Sequence, residues 1–131
     1  MTRRPPHQHP ALRDATIGVA LGHLTLAVLI GIGHAGYGGR PTGVMGDAAT
    51  SPLWLPTHVA VAFAVIAAEH TRTHRLVALS LSFGTLACWS VLMWIWAVHL
   101  DPDATWAVSA LGLVLAITAL TLSGLWADRE D

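Results

Sequence analysis

Four of the eight histidines in this chain, His23, His34, His58 and His99, stand inside long stretches that carry no Asp, Glu, Lys or Arg. Whatever chemistry those stretches perform must therefore be imidazole chemistry. A neutral imidazole can pass a proton between its two nitrogens, bind a metal ion, or hydrogen-bond a neighbouring helix. His23 lies eight residues into the first stretch, and His34 follows eleven residues later, which is three helical turns and nearly the same face. His58, in the second stretch, and Glu69, just past its end, repeat that spacing of eleven on helix two, and His99 stands at the outer end of helix three. Antiparallel helices would gather His34, His58 and His99 into one outer third, where Asp47, Asp101 or Asp103 could add an oxygen ligand. A haem held between His23 and His58 is disfavoured, because equal helix entry levels put the two at depths differing by roughly 10 Å. Structural hydrogen bonding is the first expectation for these histidines, a proton or ion pathway the second, and a metal or haem site the third. No cofactor and no bound metal is expected. His7, His9, His70 and His74 flank arginines or prolines in polar segments and have no assigned role.

Other reactive groups are absent from the pattern. Cys88 is the single cysteine, so no intrachain disulfide or thiol pair can form, and it reads as a small packing residue. There is no carboxylate pair in an apolar stretch and no nucleophile elbow. The chain is not expected to be an enzyme.

The stretches that must position the histidines are Ala15–Gly39, Ala48–Ala68, Leu76–Leu100 and Ala104–Ala127, of 25, 21, 25 and 24 residues. About 20 apolar residues of helix cross a bilayer core. Charged residues make up 11% of the 131-residue chain and hydrophobic ones 53%, with a mean hydropathy of +0.55. A water-soluble domain of this size carries more charge. The sequence thus predicts an all-α, integral membrane four-helix bundle in one domain, with helices over about 12–34, 52–69, 75–100 and 102–127. Residues 1–9 form a flexible polar tail. Pro10 suits the first turn of helix one, Ser51-Pro52 has the cap-then-proline form of a helix start, and Asp101-Pro102-Asp103 starts helix four. A loop with glycines at 33, 36, 38, 39, 43 and 46 joins the first two helices. No small-x-small cleavage site follows the first stretch, so it is expected to stay as a helix.

All seven basic residues are arginine. With four crossings, Arg3, Arg4, Arg13, Arg72, Arg75 and Arg129 share one side and Arg40 alone occupies the other. Cytoplasmic loops carry the excess of basic residues, so both termini are expected to be cytoplasmic, in the bacterial cytoplasmic membrane or a phage host's. Tyr37, Trp54, Trp94, Trp96 and Trp106 read as anchors at the outer boundary and Trp126 at the inner one, whereas Trp89 lies deeper and reads as a packing residue.

Helices in lipid associate through close backbone approach, which small residues permit. The candidates are Gly18 and Gly22 on helix one, Ala60, Ala64 and Ala68 on helix two, and Ser80, Gly84 and Cys88 on helix three. Helix four offers Gly112, Ala116, Ala119 and Ser123. Packing within one bundle is the first use expected of them and a homo-oligomer seam the second. The near-neutral charge, with a pI near 6.7, excludes a nucleic-acid footprint. The bilayer and a second copy or a larger membrane complex are the expected partners.

The basic amino tail with Arg3-Arg4, the Gly-rich first loop, the Arg72/Arg75 turn and the charged tail Asp128–Asp131 together resemble small four-crossing membrane proteins of actinobacteria and their phages. Some of these are holins, and the resemblance implies an oligomerising protein that permeabilises a membrane. It carries over no site residues. A proton- or ion-linked transporter or channel is the alternative, as is an accessory subunit. Four-crossing multidrug transporters carry a membrane-embedded Glu on their first helix, where this chain has only His23.

Overall fold

A computed structural model of the chain describes residues 10–36, 51–68, 71–99 and 106–129. They form four helices: α1 (Pro10–Gly36), α2 (Trp54–Ala67), α3 (Arg72–His99) and α4 (Trp106–Arg129). The amino tail, the glycine-rich loop with Tyr37, Arg40 and Asp47, Glu69, and the Asp101-Pro102-Asp103 start of helix four lie outside the described residues. So do the side chains of His34, His99 and Trp106.

The chain is all-helical, and α1, α3 and α4 are each long and apolar enough to cross a membrane. The second helix, expected over about 52–69, is a little shorter than that. It has 14 residues, about 21 Å against a hydrocarbon core of roughly 30 Å. The cause lies at its start. Ser51 and Pro52 form a turn in which the Trp54 and Leu55 amides donate to the Ser51 and Pro52 carbonyls, and Leu53 takes the N-cap position. Ser51 accepts from the Leu53 amide through its hydroxyl. Pro56 falls in the first turn, where a missing N–H costs nothing.

Successive helices run antiparallel, as the start of α1 packs with the start of α3 and the end of α4, and Ser90 of α3 with Ser109 of α4. The first helix closes the ring by packing on α4 as well as on α2. The closest pairs are α1 with α2 and α3 with α4. At the end bearing Arg13 and Arg75, Leu12, Val19, Leu79, Ala119, Leu122 and Trp126 form one apolar cluster. Toward the opposite end, Leu26, Leu86, Trp89 and Ala116 form another, with Trp54 and Ile30 packed against it. The outer faces are apolar too: Ile32 is 66% exposed, Phe63 63% and Val28 61%. Helices that are apolar all round suit a membrane span or burial within further protein.

The small residues divide between the two surfaces. Gly112, Ala116 and Ala119 are buried in the bundle, while Gly18, Ala60 and Gly84 face outward. Ala64, Ser123 and Gly22 are half-buried, the last close against Leu115. Two of the expected boundary tryptophans also differ. Trp94 is exposed, but Trp96 and Trp126 are turned into the bundle.

Trp126 ties three helices together. Its indole N–H donates to Thr16 Oγ1 at 3.2 Å, Thr16 donates to the Leu12 carbonyl at 2.8 Å, and the Arg75 guanidinium sits 3.9 Å above the indole. Trp126→Phe keeps a ring beneath Arg75 and loses the hydrogen bond, so it is expected to cost about 0.6–1 kcal/mol. Trp126→Leu also removes the cation–π contact, worth about 0.5–1 kcal/mol more. Equal unfolding midpoints for the two variants in detergent would show that the guanidinium contributes nothing.

Candidate functional site

His23 is the midpoint of α1, and it is completely buried. One turn into α2, His58 is equally buried. The two imidazoles meet: His23 Nδ1 lies 2.8 Å from His58 Nδ1, with ring centroids 5.0 Å apart and planes inclined at 45°. On its other side, His23 Nε2 lies 2.8 Å from the Ser82 hydroxyl of α3. Ser82 is also fully buried. Three helices thus contribute one side chain each to a continuous chain: His58, His23, Ser82.

This contact corrects the depth difference expected from the sequence. That expectation assumed that all helices enter the membrane at one level. In the structure Trp54, the first residue of α2, packs against the cluster that holds Leu26, and the next residue, Leu55, has its side chain against Gly31 of α1. The five residues from Gly31 to Gly36 set the start of α2 lower than the end of α1 by roughly 7–8 Å. His58 then falls beside His23. Ala20 packing with Val61, Ala62 and Val65 continues the same register. The expected gathering of His34, His58 and His99 involves the His34 and His99 side chains, which lie outside the described residues.

Proton positions follow from the nitrogen inventory. In a neutral pair facing each other through Nδ1, one ring donates and the other accepts. If His58 Nδ1–H donates to His23, then His23 Nε2–H donates to Ser82 Oγ and His58 Nε2 is a lone pair. If His23 Nδ1–H donates to His58, the Ser82 hydroxyl donates to His23 Nε2 and His58 Nε2 carries a proton. The two states differ only by a concerted shift of protons along the chain. His58 Nε2, its free end, is buried with no hydrogen-bond partner among the described residues.

Aromatic rings enclose that end. Trp89 stands edge-on to His58, with centroids 5.4 Å apart and planes at 85°. Trp54 lies 6.2 Å away at 38°. The pair is thus a polar island between the two apolar clusters. Other buried polar side chains among the described residues are Thr16, Ser90 and Ser109. Ser109 donates to the Ser90 carbonyl, a further bond between helices.

Among the described residues no group of three His, Cys, Asp or Glu could hold a metal ion. A porphyrin does not fit between His23 and His58 either, because their nitrogens are already in contact.

Ser82 escaped sequence reasoning. Serine and threonine in helices usually bond to the preceding turn, and Thr16, Thr25, Thr57, Thr118 and Thr121 do so here. A signal was nevertheless present. Trp89 reads as a deep packing residue, and Ser82 lies seven residues before it, two turns along the same face.

No known protein family, curated protein or solved structure matches this chain.

Proposed function

We propose that the chain is a small polytopic protein of the bacterial cytoplasmic membrane, with both termini cytoplasmic, that carries protons through the His58–His23–Ser82 chain. One observation supports this above others: the two buried imidazoles are in direct contact, and the other buried polar side chains among the described residues are hydroxyls, Ser82 among them on the same chain of contacts. Ionisable residues at membrane depth are rare and mark ion and proton pathways. The antiparallel order of the helices returns the chain to its starting side, with α2 accommodated by local thinning of the bilayer or by its position nearer one face.

The step balances. A proton arriving at His58 Nε2 makes an imidazolium, which gives its Nδ1 proton to His23 Nδ1. His23 then gives its Nε2 proton to Ser82 Oγ, and the hydroxyl gives its own proton to a water molecule, which the relay requires on the far side of Ser82. The chain is left in its second tautomeric state; it is reset when each imidazole exchanges its proton between Nε2 and Nδ1 with water and the hydroxyl turns, because a return shift along the same bonds would carry the proton back.

The test is purified protein in liposomes with an internal pH indicator and a potassium diffusion potential. Flux above protein-free liposomes is expected, falling at least about tenfold in His58→Phe, since a broken relay has no second carrier. Flux that survives His58→Phe would remove the relay.

A holin-like assembly is the second reading, favoured by the outward placement of Ser80, Gly84 and Cys88 in a row on α3. Small residues on a lipid-facing ridge suit contact with a second copy. Induced expression with abrupt loss of membrane potential would support it, and steady growth at high expression would count against it.

A further inference from the structure

We infer that the His23–His58 contact is an acid-sensitive latch between α1 and α2: it accommodates one added proton and opens when both imidazoles are protonated. The latch uses the pair but not the passage of protons through it, so it stands or falls apart from the relay.

The hydrogen count sets the threshold. The two Nδ1 atoms face each other at 2.8 Å. In the neutral pair one of them is an N–H and the other a lone pair. One added proton preserves this. Whichever ring becomes the imidazolium donates through Nδ1, and its neutral partner accepts there with its own proton on Nε2. A second proton puts an N–H on both Nδ1 atoms. Donor then faces donor, and two like charges stand on rings whose centroids are 5.0 Å apart. Turning either ring over replaces an N–H by a C–H and restores no acceptor.

The surroundings offer no counter-charge among the described residues. Toward the pair α3 presents the Ser82 hydroxyl and the Trp89 ring, and α2 presents the Trp54 ring. At this level α4 presents Leu115, against Gly22 beside His23. Along α1, α3 and α4 the nearest charged residues are Asp14, Arg75 and Asp128, seven or more residues away, at least about 10 Å of helix. The Cys88 thiol is on the exposed face of α3. Two buried like charges without a counter-ion are costly, and the structure relieves them by separating the rings.

The element that yields is α2. It is the shortest helix, packed closely on α1 and less on α3. Against Ala20 it sets Val61, Ala62, Val65 and Ala68, small side chains that bury little apolar area. His23 is held to α3 by Ser82, and α4 is tied to α1 through Trp126 and Thr16 and to α3 through Ser109. His58 therefore leaves with α2 while the other three helices stay together.

Distances between spin labels test the latch in the whole chain in detergent, with Cys88→Ser as background. Leu21→Cys with Phe63→Cys reports α1 against α2, and Leu81→Cys with Leu120→Cys reports α3 against α4; all four side chains are exposed. From about pH 7.5 to about pH 4, a range that spans imidazole titration, the first distance is expected to grow reversibly by about 2 Å or more and the second to stay fixed. His58→Gln keeps a donor and an acceptor for His23 but takes up no proton, so in it the first distance should not change. In the unsubstituted protein, 15N spectra of His23 and His58 should place the opening at the second proton. A first distance that stays constant, whether the rings remain neutral or both charge, overturns the latch. So does opening at the first proton, opening that persists in His58→Gln, or growth of both distances together, which is acid unfolding. None of these outcomes is read from proton flux, so the relay survives or fails by its own test.

Discussion

His23→Leu is expected to bring proton flux to the protein-free level and to lower bundle stability by about 1–2 kcal/mol. His23 is the only residue in the chain that makes both of its bonds, one to His58 and one to Ser82. Removing it leaves those two groups without a link. They fare differently. Ser82 can turn back to a carbonyl of its own helix, as five threonines of this protein do. His58 Nδ1 has no such recourse in an apolar layer, so most of the cost falls there. Ser82→Ala should therefore cost only about 0.6 kcal/mol, an average interhelical bond in a membrane protein, and reduce flux less than His23→Leu. A double-mutant cycle between His23 and His58 should show coupling of the larger size. Full flux in His23→Leu would rule out the relay. Full stability with no flux would confine the histidines to function.

Much of the architecture was legible in the charges. The four charge-free stretches located four helices, because no other run of this composition could bury or solvate its backbone. What composition could not supply was register. The depth of α2 against α1 depends on where Leu55 meets Gly31 and Val61 meets Ala20, which no periodicity in either helix encodes. The consequence fell on the site itself: His23 and His58, read as separate, are in contact. Small-residue spacing had a similar limit. It picked out ridges on every helix, but Gly84 and Gly112 look alike in sequence while one faces outward and the other lies between α3 and α4.

That difference makes Gly112→Ala the substitution with the largest expected structural effect. A Cβ there would run into the Ser90 hydroxyl and stand 3.2 and 3.3 Å from two carbons of the Trp89 ring. The hydroxyl can rotate away. The indole cannot, being fully buried and edge-on to His58. To admit one methyl, α4 must move off α3 or Trp89 must press into the site, and overpacking of this kind costs about 1–3 kcal/mol. The gain in helix propensity from Gly to Ala, about 1 kcal/mol, offsets only part of that. Gly22→Ala is the informative contrast. Its new Cβ would lie 2.7 Å from both methyls of Leu115, the flexible end of a half-buried side chain, so a rotamer change relieves it. Gly18→Ala and Gly84→Ala meet nothing within 4 Å. Those two should leave unfolding unchanged or slightly delayed. Unfolding in detergent should thus rank Gly112→Ala lowest, Gly22→Ala near neutral and the outward pair highest. If Gly84→Ala instead breaks a cross-linked dimer while its unfolding is unchanged, the outward ridge of α3 is the seam between copies. If Gly112→Ala unfolds like the unsubstituted protein, the close approach of α3 and α4 at Trp89 is not what fixes the edge of the histidine site.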